Sequence, residues 1–307
     1  MALLDRAIVS VLPAVPKGVV RRISSRYIAG TGVGEASRVV AGLNTQGKMA
    51  TIDVLGEEIT SVDEAAGIVS EYRYVFETIE RDHLDSNVSV KLTALGLNFS
   101  YSLCRRNLER VVTHASEVGN FVRIDMEDSS TTDDTLRLYR ELREAGLDNL
   151  GVVLQARLRR TLGDVEALAD LTPNVRVCKG IYVEPPDLAF QEFEEVRENF
   201  VAVLDRLLDA GAYVGIATHD EWLLDEGNRL VGAHKRERDD YEFQMLLGVR
   251  ERLGDELIAE GHRLRIYVPY GEQWYAYSLR RLQENPKIAG YIAADTFGRL
   301  IPGRNGS

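Results

Sequence analysis

The most constraining feature of this sequence is an alternation of two patterns that repeats along the chain from Ala50 onward. Short apolar runs predict strands at 50–54, 88–92, 121–126, 151–155, 175–179, 213–217, 241–244 and 264–268. The stretches between them carry apolar residues at helical spacing, as in 62–79, 103–118 and 190–208. Strand and helix in alternation, eight times over, predict an α/β protein with a closed parallel (βα)8 barrel.

The chain contains no Pro/Gly/Ser-rich linker that would divide it, and its 307 residues suit a single barrel with additions. Several strands read as runs of β-branched residues, which is expected where both faces of a strand are buried. We therefore predict a catalytic barrel over residues 50–307, preceded by an N-terminal helical extension at 1–49. A final helix after the eighth strand is expected to cover the active site.

A glycine-rich segment at 29–35 resembles a dinucleotide-binding loop, but Glu35 stands where the third glycine belongs. No apolar strand precedes it, and that fingerprint requires strand, loop and helix together. We interpret the segment as a turn or a helix cap.

The charge balance bears on partners. With 37 Lys and Arg against 48 Asp and Glu, the net charge of -11 does not suit a surface that follows nucleic-acid phosphates. Only two cysteines, Cys104 and Cys178, are present, which predicts no disulfide framework and fits a reducing, cytoplasmic compartment.

The N-terminal apolar run is interrupted by charged residues and prolines, so it does not read as a signal peptide. No apolar run approaches the roughly 20 residues that span a bilayer, so membrane contact is expected to be peripheral. A basic cluster could attract anionic lipid or could simply be a solvated helix face. Its members are Lys17, Arg21, Arg22 and Arg26.

Polar residues occur in or just after seven of the predicted strands. In a (βα)8 barrel the active site lies at the carboxyl ends of the strands, so these residues are candidates for chemistry. They are Lys91, Asp125, Glu127, Gln155, Arg176, Lys179, Thr218, His219, Glu242, Gln244, Arg265 and Tyr267.

These residues alone leave several functions open. Lys91 and Asp125 could form a structural ion pair, because buried charges must be paired. Lys91 or Lys179 could be a Schiff-base nucleophile, which would make the protein an aldolase. The five histidines show no HxH or HExxH spacing, so no metal site is predicted. A barrel that only binds a partner is a third class.

The segment 274–286 predicts a helix that ends at Pro286. Tyr277, Arg280 and Glu284 lie at spacings of three and four and so share a face, with Arg281 beside them. Paired guanidinium groups match a small carboxylate, and Glu284 would hold one arginine in place. The alternative is a solvated surface helix.

Taken in order, five segments resemble the proline dehydrogenase family from about Gly42 to Pro286. They are Ser89–Leu92, Arg176–Tyr182, Thr218–His219, Tyr241–Leu246 and Tyr277–Glu284. The pattern Arg-x-x-Lys-Gly-x-Tyr followed by Tyr-x-x-Arg-Arg-x-x-Glu is highly specific in combination.

The resemblance implies an FAD-dependent enzyme that oxidises L-proline to Δ1-pyrroline-5-carboxylate by hydride transfer to flavin N5. It also implies how the site is divided. The residues implied for the reaction are Lys91, Asp125, Arg176, Tyr267, Tyr277, Arg280, Arg281 and Glu284. Those implied to fix or wall proline are Lys91, Tyr182, Tyr267, Tyr277, Arg280 and Arg281, with Asp125 orienting Lys91.

For FAD, the resemblance implies Arg176 near N5, Gln155 at the flavin ring, and Lys179 and Gly180 at the ribityl and phosphate portion. The remaining residues implied to contact FAD are Cys178, Tyr182, Thr218, His219, Gln244, Leu246, Arg281 and Glu284, with Thr218, His219 and Gln244 at the nucleotide end. Val177, Cys178 and Ile181 depart from the expected pattern. Crowding by Ile181 could tune cofactor affinity.

The resemblance further implies partners. Electrons would pass to a membrane quinone, which is consistent with peripheral membrane association. The chain resembles the monofunctional bacterial type, whose product must reach a separate pyrroline-5-carboxylate dehydrogenase.

Overall fold

The computed structural model describes residues 26–56, 59–275 and 277–278. In this part of the chain eight parallel strands close a barrel in sequence order, and the last strand pairs with the first. The predicted (βα)8 barrel is confirmed. The strands are β1 (Met49–Val54), β2 (Ser86–Val90), β3 (Val122–Ile124), β4 (Leu150–Gln155), β5 (Asn174–Cys178), β6 (Tyr213–Ala217), β7 (Tyr241–Leu246) and β8 (Leu264–Tyr270).

Within the described residues, one helix precedes β1 and a helix follows each of the first seven strands. The helices are α1 (Val33–Asn44), α2 (Val62–Arg81), α3 (Tyr101–Glu117), α4 (Thr132–Glu144), α5 (Thr161–Leu168), α6 (Phe193–Asp209), α7 (Glu221–Ala233) and α8 (Glu251–Ala259). Short 3₁₀ turns at Ala169–Leu171 and Arg238–Asp240 lead into β5 and β7.

The glycine-rich segment forms the start of α1, as the helix-cap interpretation predicts. Gly32 is the N-cap, and the Glu35 carboxylate accepts the backbone N–H groups of Thr31 at 2.6 Å and Gly32 at 3.2 Å. A carboxylate is well placed there because the first N–H groups of a helix lack partners within it. Helix α1 packs against β1 and β8, outside the barrel.

The two faces of the strands differ in chemistry and not in burial. Alternate residues such as Ile52, Val88 and Ile124 are fully buried in one apolar core with helix residues such as Tyr72 and Leu108. Side chains of this kind each contribute about 1.5–3 kcal/mol when they leave water. The intervening residues of each strand face the lumen and are largely polar. Both faces are buried, as expected, but apolar and polar residues alternate along the strands.

The strand limits differ from the predictions by a few residues. β2 ends at Val90, because the Lys91 carbonyl begins a turn closed by the Leu95 N–H at 3.2 Å. β3 ends at Ile124, so Lys91 and Asp125 both lie directly after their strands. None of the helices within the described residues is long and apolar enough to cross a membrane.

Candidate active site at the carboxyl ends of the strands

A network of buried charged side chains crosses the lumen near the carboxyl ends of the strands. The Arg176 guanidinium donates to Asp125 Oδ1 at 2.7 Å and to Ser89 Oγ at 3.2 Å, and Ser89 Oγ donates to the same Asp125 oxygen at 3.0 Å. Ser89 lies on β2 and Asp125 directly follows the neighbouring β3, whereas Arg176 lies on β5, two strands further round, so its side chain meets theirs inside the barrel. Burial makes each pairing necessary, since an unpaired charge here would be very costly.

Lys91 extends this network to the first strand. Its ammonium lies 2.8 Å from Asp53 Oδ1 and 3.6 Å from Asp125 Oδ2, and Asp53 is fully buried. The expected Lys91–Asp125 pair is present, but Asp53 is the nearer partner. The prediction missed Asp53, although a lone carboxylate inside the apolar run Met49–Val54 was the available signal.

Tyr267 completes what we call the upper network, which consists of Asp53, Lys91, Asp125, Arg176 and Tyr267. Its hydroxyl donates to Asp125 Oδ2 at 2.7 Å and accepts from Lys91 Nζ at 3.2 Å. Burial, followed by the charges of Asp125 and Asp53, raises the pKa of Tyr267 well above its usual value. Tyr267 is therefore a neutral phenol and a hydrogen-bond donor across the physiological range.

Gln244 holds Arg176 from below. Its Oε1 accepts from Arg176 Nε at 2.5 Å, and its Nε2 donates to Glu242 Oε1 at 2.6 Å. On the neighbouring strand, a Cβ at Gly215 would overlap Gln244 Nε2, so the absence of a side chain at 215 leaves room for this amide. Both ends of the amide are engaged inside the barrel, so direct contact with a nucleotide is not supported by this geometry.

Two predicted rim residues lie instead near the start of their strands. Glu242 and Arg265 are each the second residue of a strand, and they pair at 2.7 Å. The Tyr213 hydroxyl donates to Glu242 at 2.8 Å. Arg123 lies in the same half of the barrel and bonds the carbonyls of Val152 at 3.1 Å and Asn174 at 2.7 Å. We call Arg123, Tyr213, Glu242 and Arg265 the floor network.

The floor network contains one carboxylate, that of Glu242, and two guanidinium groups, those of Arg123 and Arg265. Burial alone would raise the pKa of Glu242, but the charge and hydrogen bond of Arg265 hold it below the usual value. Burial, together with the charge of Arg176, lowers the pKa of Arg123 to about 9. Both groups therefore remain ionised near neutrality, and we assign a structural role to their contacts.

At the rim, Lys179 and Arg197 share one carboxylate, Asp220, and we call these three the rim triad. Lys179 Nζ lies 2.5 Å from Asp220 Oδ2, and the Arg197 guanidinium makes two bonds to Asp220, at 2.9 and 2.7 Å. Burial opposes ionisation of Asp220, but the bonds from Arg197 and Lys179 lower its pKa to about 2. The rim triad carries one net positive charge.

Gln155 and Gly180 lie side by side at the ends of β4 and β5. Gln155 Nε2 donates to the carbonyls of Met126 at 3.2 Å and Glu127 at 2.7 Å, which fixes the amide. Gly180 has φ +92°, and a Cβ there would lie 2.6 Å from Gln155 Oε1. Only glycine suits this position. Tyr182, two residues further on, is half-buried.

Thr218, His219 and Leu246 form the next part of the rim. Thr218 Oγ1 accepts the Asp220 N–H at 3.1 Å, which supports the turn into α7. His219 Nε2 accepts the Leu246 N–H at 2.9 Å, so that nitrogen carries no proton. The Glu127 carboxylate accepts the Thr93 N–H at 3.0 Å and the Thr93 hydroxyl at 2.5 Å.

The departures in β5 have modest local effects. Cys178 is half-buried and packs against the apolar core. Ile181 is 39% exposed, so its side chain points largely to solvent and does not crowd the barrel.

Only the first residues of the predicted final helix lie within the described part of the chain. Trp274, Tyr275, Tyr277 and Ser278 have helical backbone, and Tyr277 is buried against Ile28, Leu55 and Trp274. Arg280, Arg281 and Glu284 lie outside the described residues.

Two further features bear on competing functions. A groove of about 500 Å³ lies between α2 and α3 on the outside of the barrel, lined by exposed side chains such as Arg73, Arg106 and Arg110. It does not adjoin the upper network. Among the described residues no group of three or more His, Cys, Asp or Glu side chains is arranged to hold a metal ion.

Comparison with solved structures agrees with the barrel. Proline utilization A from Bdellovibrio bacteriovorus, inactivated by N-propargylglycine, superposes with a TM-score of 0.82 at 24% identity, over 95% of this chain and 38% of that one. The same protein from Bradyrhizobium japonicum gives a TM-score of 0.72 at 20% identity, over 89% of this chain and 32% of that one. This chain spans well under half the length of either protein, and at these identities the likeness concerns the fold.

Sequence comparison extends to the family. Proline dehydrogenase of Deinococcus radiodurans is 37% identical over 274 residues, which is 88% of each chain. Proline dehydrogenase 1 of Bacillus subtilis is 37% identical over 267 residues, 87% of this chain and 88% of that one. The proline dehydrogenase family model matches residues 36–293, which include every strand of the barrel. The chain therefore belongs to the proline dehydrogenase family.

Proposed function

We propose that this protein is a flavoenzyme that oxidises L-proline to Δ1-pyrroline-5-carboxylate, with FAD as the immediate hydride acceptor. The observation that carries the proposal is the upper network in a chain of this family. It presents Lys91 and Arg176 at the carboxyl ends of the strands, where barrel enzymes act. Their charges are held by two buried carboxylates, so the site is organised before a ligand arrives.

The residues at the rim fit such a cofactor. Gln155, Lys179 and Gly180 line one side, and the rim triad has one more cation than carboxylate, which suits a bound pyrophosphate. FAD supplies the electron-accepting ring, so the protein needs mainly to bind, orient and exclude water. We assign Arg176 to flavin N5, Gln155 to the ring, Lys179 and Gly180 to the ribityl and phosphate portion, and Cys178, Tyr182, Thr218, His219 and Leu246 to nearby positions.

Lys91 is proposed to bind the proline carboxylate together with Arg280 and Arg281. Lys91 Nζ lies within 4.0 Å of two carboxylates, and Lys179 Nζ contacts the carboxylate of Asp220. A Schiff-base lysine is activated by an apolar or cationic environment. The carboxylate contacts of both lysines therefore favour the flavoenzyme over an aldolase.

Other residues of the network orient these groups. We assign Asp53 and Asp125 jointly to hold Lys91, and Gln244 to hold Arg176 in place of the nucleotide contact first expected. Tyr267 donates a hydrogen bond to Asp125, and we assign it with Tyr182 and Tyr277 to the wall of the proline pocket. Glu284 is proposed to hold one arginine of the final helix.

The electrons are proposed to leave for a membrane quinone, through peripheral association with the cytoplasmic membrane. The product would pass to a separate pyrroline-5-carboxylate dehydrogenase. These assignments rest on membership of the family, and the curated relatives and this chain cover each other almost equally.

The test is the visible absorption spectrum of the purified protein, before and after anaerobic addition of L-proline. We expect flavin bands that bleach on addition of proline and not of glycine. Flavin bands that persist would contradict proline as substrate. A colourless protein that stays inactive with added FAD, and that borohydride traps at Lys91 or Lys179, would instead support the aldolase.

A further inference from the structure

Arg157 lies two residues beyond the end of β4, on the rim beside the residues assigned to the cofactor. The N–H groups of Ala156 and Arg157 donate to the carbonyls of Cys178 and Lys179, both at 2.8 Å. On the other side, the Phe190 N–H donates to the Arg157 carbonyl at 2.9 Å. The backbone at Arg157 is thus fixed between two neighbouring segments.

The Arg157 side chain has unused hydrogen-bonding capacity. Its Nη1 makes a long bond of 3.3 Å to the Tyr182 carbonyl. Its Nε is buried and has no hydrogen-bond partner within the described residues. A buried N–H without an acceptor costs free energy, and such a group calls for an unseen partner.

Neighbouring basic groups of the rim differ from Arg157 in their partners. Lys179 and Arg197 share Asp220, and Arg160 pairs with Asp164 and Asp133, as close as 2.9 and 2.7 Å. In the part of the chain that the structure describes, no carboxylate lies within 4.0 Å of the Arg157 guanidinium. Arg157 is therefore a half-buried cation without a balancing anion.

We propose that Arg157 binds the pyrophosphate of the flavin cofactor and so distinguishes phosphate-bearing flavins from riboflavin. The inference rests on the proposed function. A guanidinium group matches phosphate oxygens with paired hydrogen bonds. The Nη1 bond to Tyr182 is long and Nη2 makes no hydrogen bond within the described residues, so the Nη groups keep donors for these oxygens.

The neighbours of Arg157 indicate the phosphate in preference to the ring. Gln155, which we assign to the ring, precedes it by two residues on the lumen side. Arg157 is bonded through its backbone to Lys179, and its Cβ would lie 3.3 Å from a Cβ at Gly180. Lys179 and Gly180 are the pair assigned to the ribityl and phosphate portion.

The test uses the full chain, freed of flavin by dialysis and titrated with riboflavin, FMN and FAD while flavin fluorescence is followed. Arg157→Gln removes the charge, Arg157→Lys keeps it, and Arg159→Gln is the matched control, since Arg159 is exposed and stacks on Phe190 with 4.4 Å from guanidinium to ring. We expect Arg157→Gln to raise the Kd of FAD by about tenfold or more, and that of riboflavin by less than about twofold. Arg157→Lys should lie between wild type and Arg157→Gln for FAD.

The outcomes separate this inference from the proposed function. Wild type that binds none of the three flavins would overturn both. Wild type that binds FAD, with Arg157→Gln binding it equally well, would overturn only the role of Arg157. Equal weakening of riboflavin and FAD would also overturn it, because the contact would then be to the ring. Far-ultraviolet circular dichroism and urea unfolding show whether each variant is folded. If Arg157→Gln is not folded, comparison of the FAD and riboflavin affinities of Arg157→Lys with those of wild type tests the role of Arg157.

Discussion

The floor network and the upper network both consist of buried charged residues and a tyrosine, but the groups to which these side chains form hydrogen bonds differ. In the floor, Arg265 pairs with Glu242 and also donates to the Ala50 carbonyl at 2.7 Å, while Arg123 is held by backbone carbonyls. In the upper network, side chains bond mainly to other side chains, and the layer lies where the strands end. Burial of charge alone therefore does not identify a catalytic site.

Position along the strands decides the difference. The floor lies toward the strand starts, a face of the barrel associated with stability, whereas the upper network faces the loops that carry function. If this division is right, equivalent substitutions in the two layers should separate stability from activity.

The largest effect is expected for Glu242→Gln, which leaves Arg265 buried with no carboxylate. Breaking one partner of a buried ion pair typically costs about 3–5 kcal/mol. The free energy of unfolding, measured by urea denaturation, should fall by about that amount. Asp239→Asn is the control. Asp239 also pairs with an arginine, Arg263, which directly precedes β8, but the Asp239 side chain is 95% exposed.

A loss of less than about 1 kcal/mol in Glu242→Gln would contradict the structural role of the floor. A large loss in Asp239→Asn would show that exposure does not separate these two ion pairs.

The second effect compares two tyrosines, each of which donates to a buried carboxylate. Tyr213→Phe removes the 2.8 Å bond to Glu242, and Tyr267→Phe removes the 2.7 Å bond to Asp125. Both should lower the free energy of unfolding by about 1.5–3 kcal/mol, as for hydrogen bonds to charged groups. Only Tyr267→Phe should also lower kcat/KM for proline, by about tenfold or more, which is about 1.4 kcal/mol.

Steady-state kinetics of the two variants, alongside urea unfolding, would test this pair. Equal losses of activity in both would erase the distinction between the layers. Unchanged activity in Tyr267→Phe would remove Tyr267 from the proline pocket.

The smallest effect concerns the rim triad at low pH. The pKa of Asp220 is lowered to about 2 in the folded protein, against about 3.9 in an unfolded chain. Its contribution to stability is therefore fully present above pH 4 and is lost as the pH falls through about 2. Asp220→Asn should remove this part of the pH dependence, which unfolding curves between pH 5 and pH 2.5 would reveal as a shrinking difference from wild type.

Asp220 is partly exposed, so solvent screening keeps this effect modest. A difference between wild type and Asp220→Asn that grows as the pH falls would contradict the lowered pKa.

Sequence reasoning located the barrel and most of its polar lining, because strand and helix periods differ clearly and polar residues inside apolar runs are conspicuous. It did not separate the floor from the upper network. Glu242 and Arg265 were expected at the rim, yet each is the second residue of its strand. The predicted starts at 241 and 264 match the structure, but both strands run two residues further than predicted, to Leu246 and Tyr270. A strand end misplaced by two residues moves a side chain by one layer.

The sequence also did not indicate which alternate residues of each strand face the lumen, since both faces of each strand are buried. Asp53 was overlooked for this reason, although it shares its parity with Thr51, whose hydroxyl donates to Asn87 at 2.5 Å on β2. Comparing the polar parity of all eight strands together would have identified it. The positions of Arg280, Arg281 and Glu284 stay predictions.

The missing side chain at Gly215 has a consequence for how such a barrel can change over time. A single methyl group there would displace the Gln244 amide, and Gln244 joins Arg176 to Glu242. Positions 215 and 244 are therefore coupled, because a side chain at 215 requires the Gln244 amide to move away from its present contacts. We expect substitutions at these two sites to be tolerated better in pairs than singly.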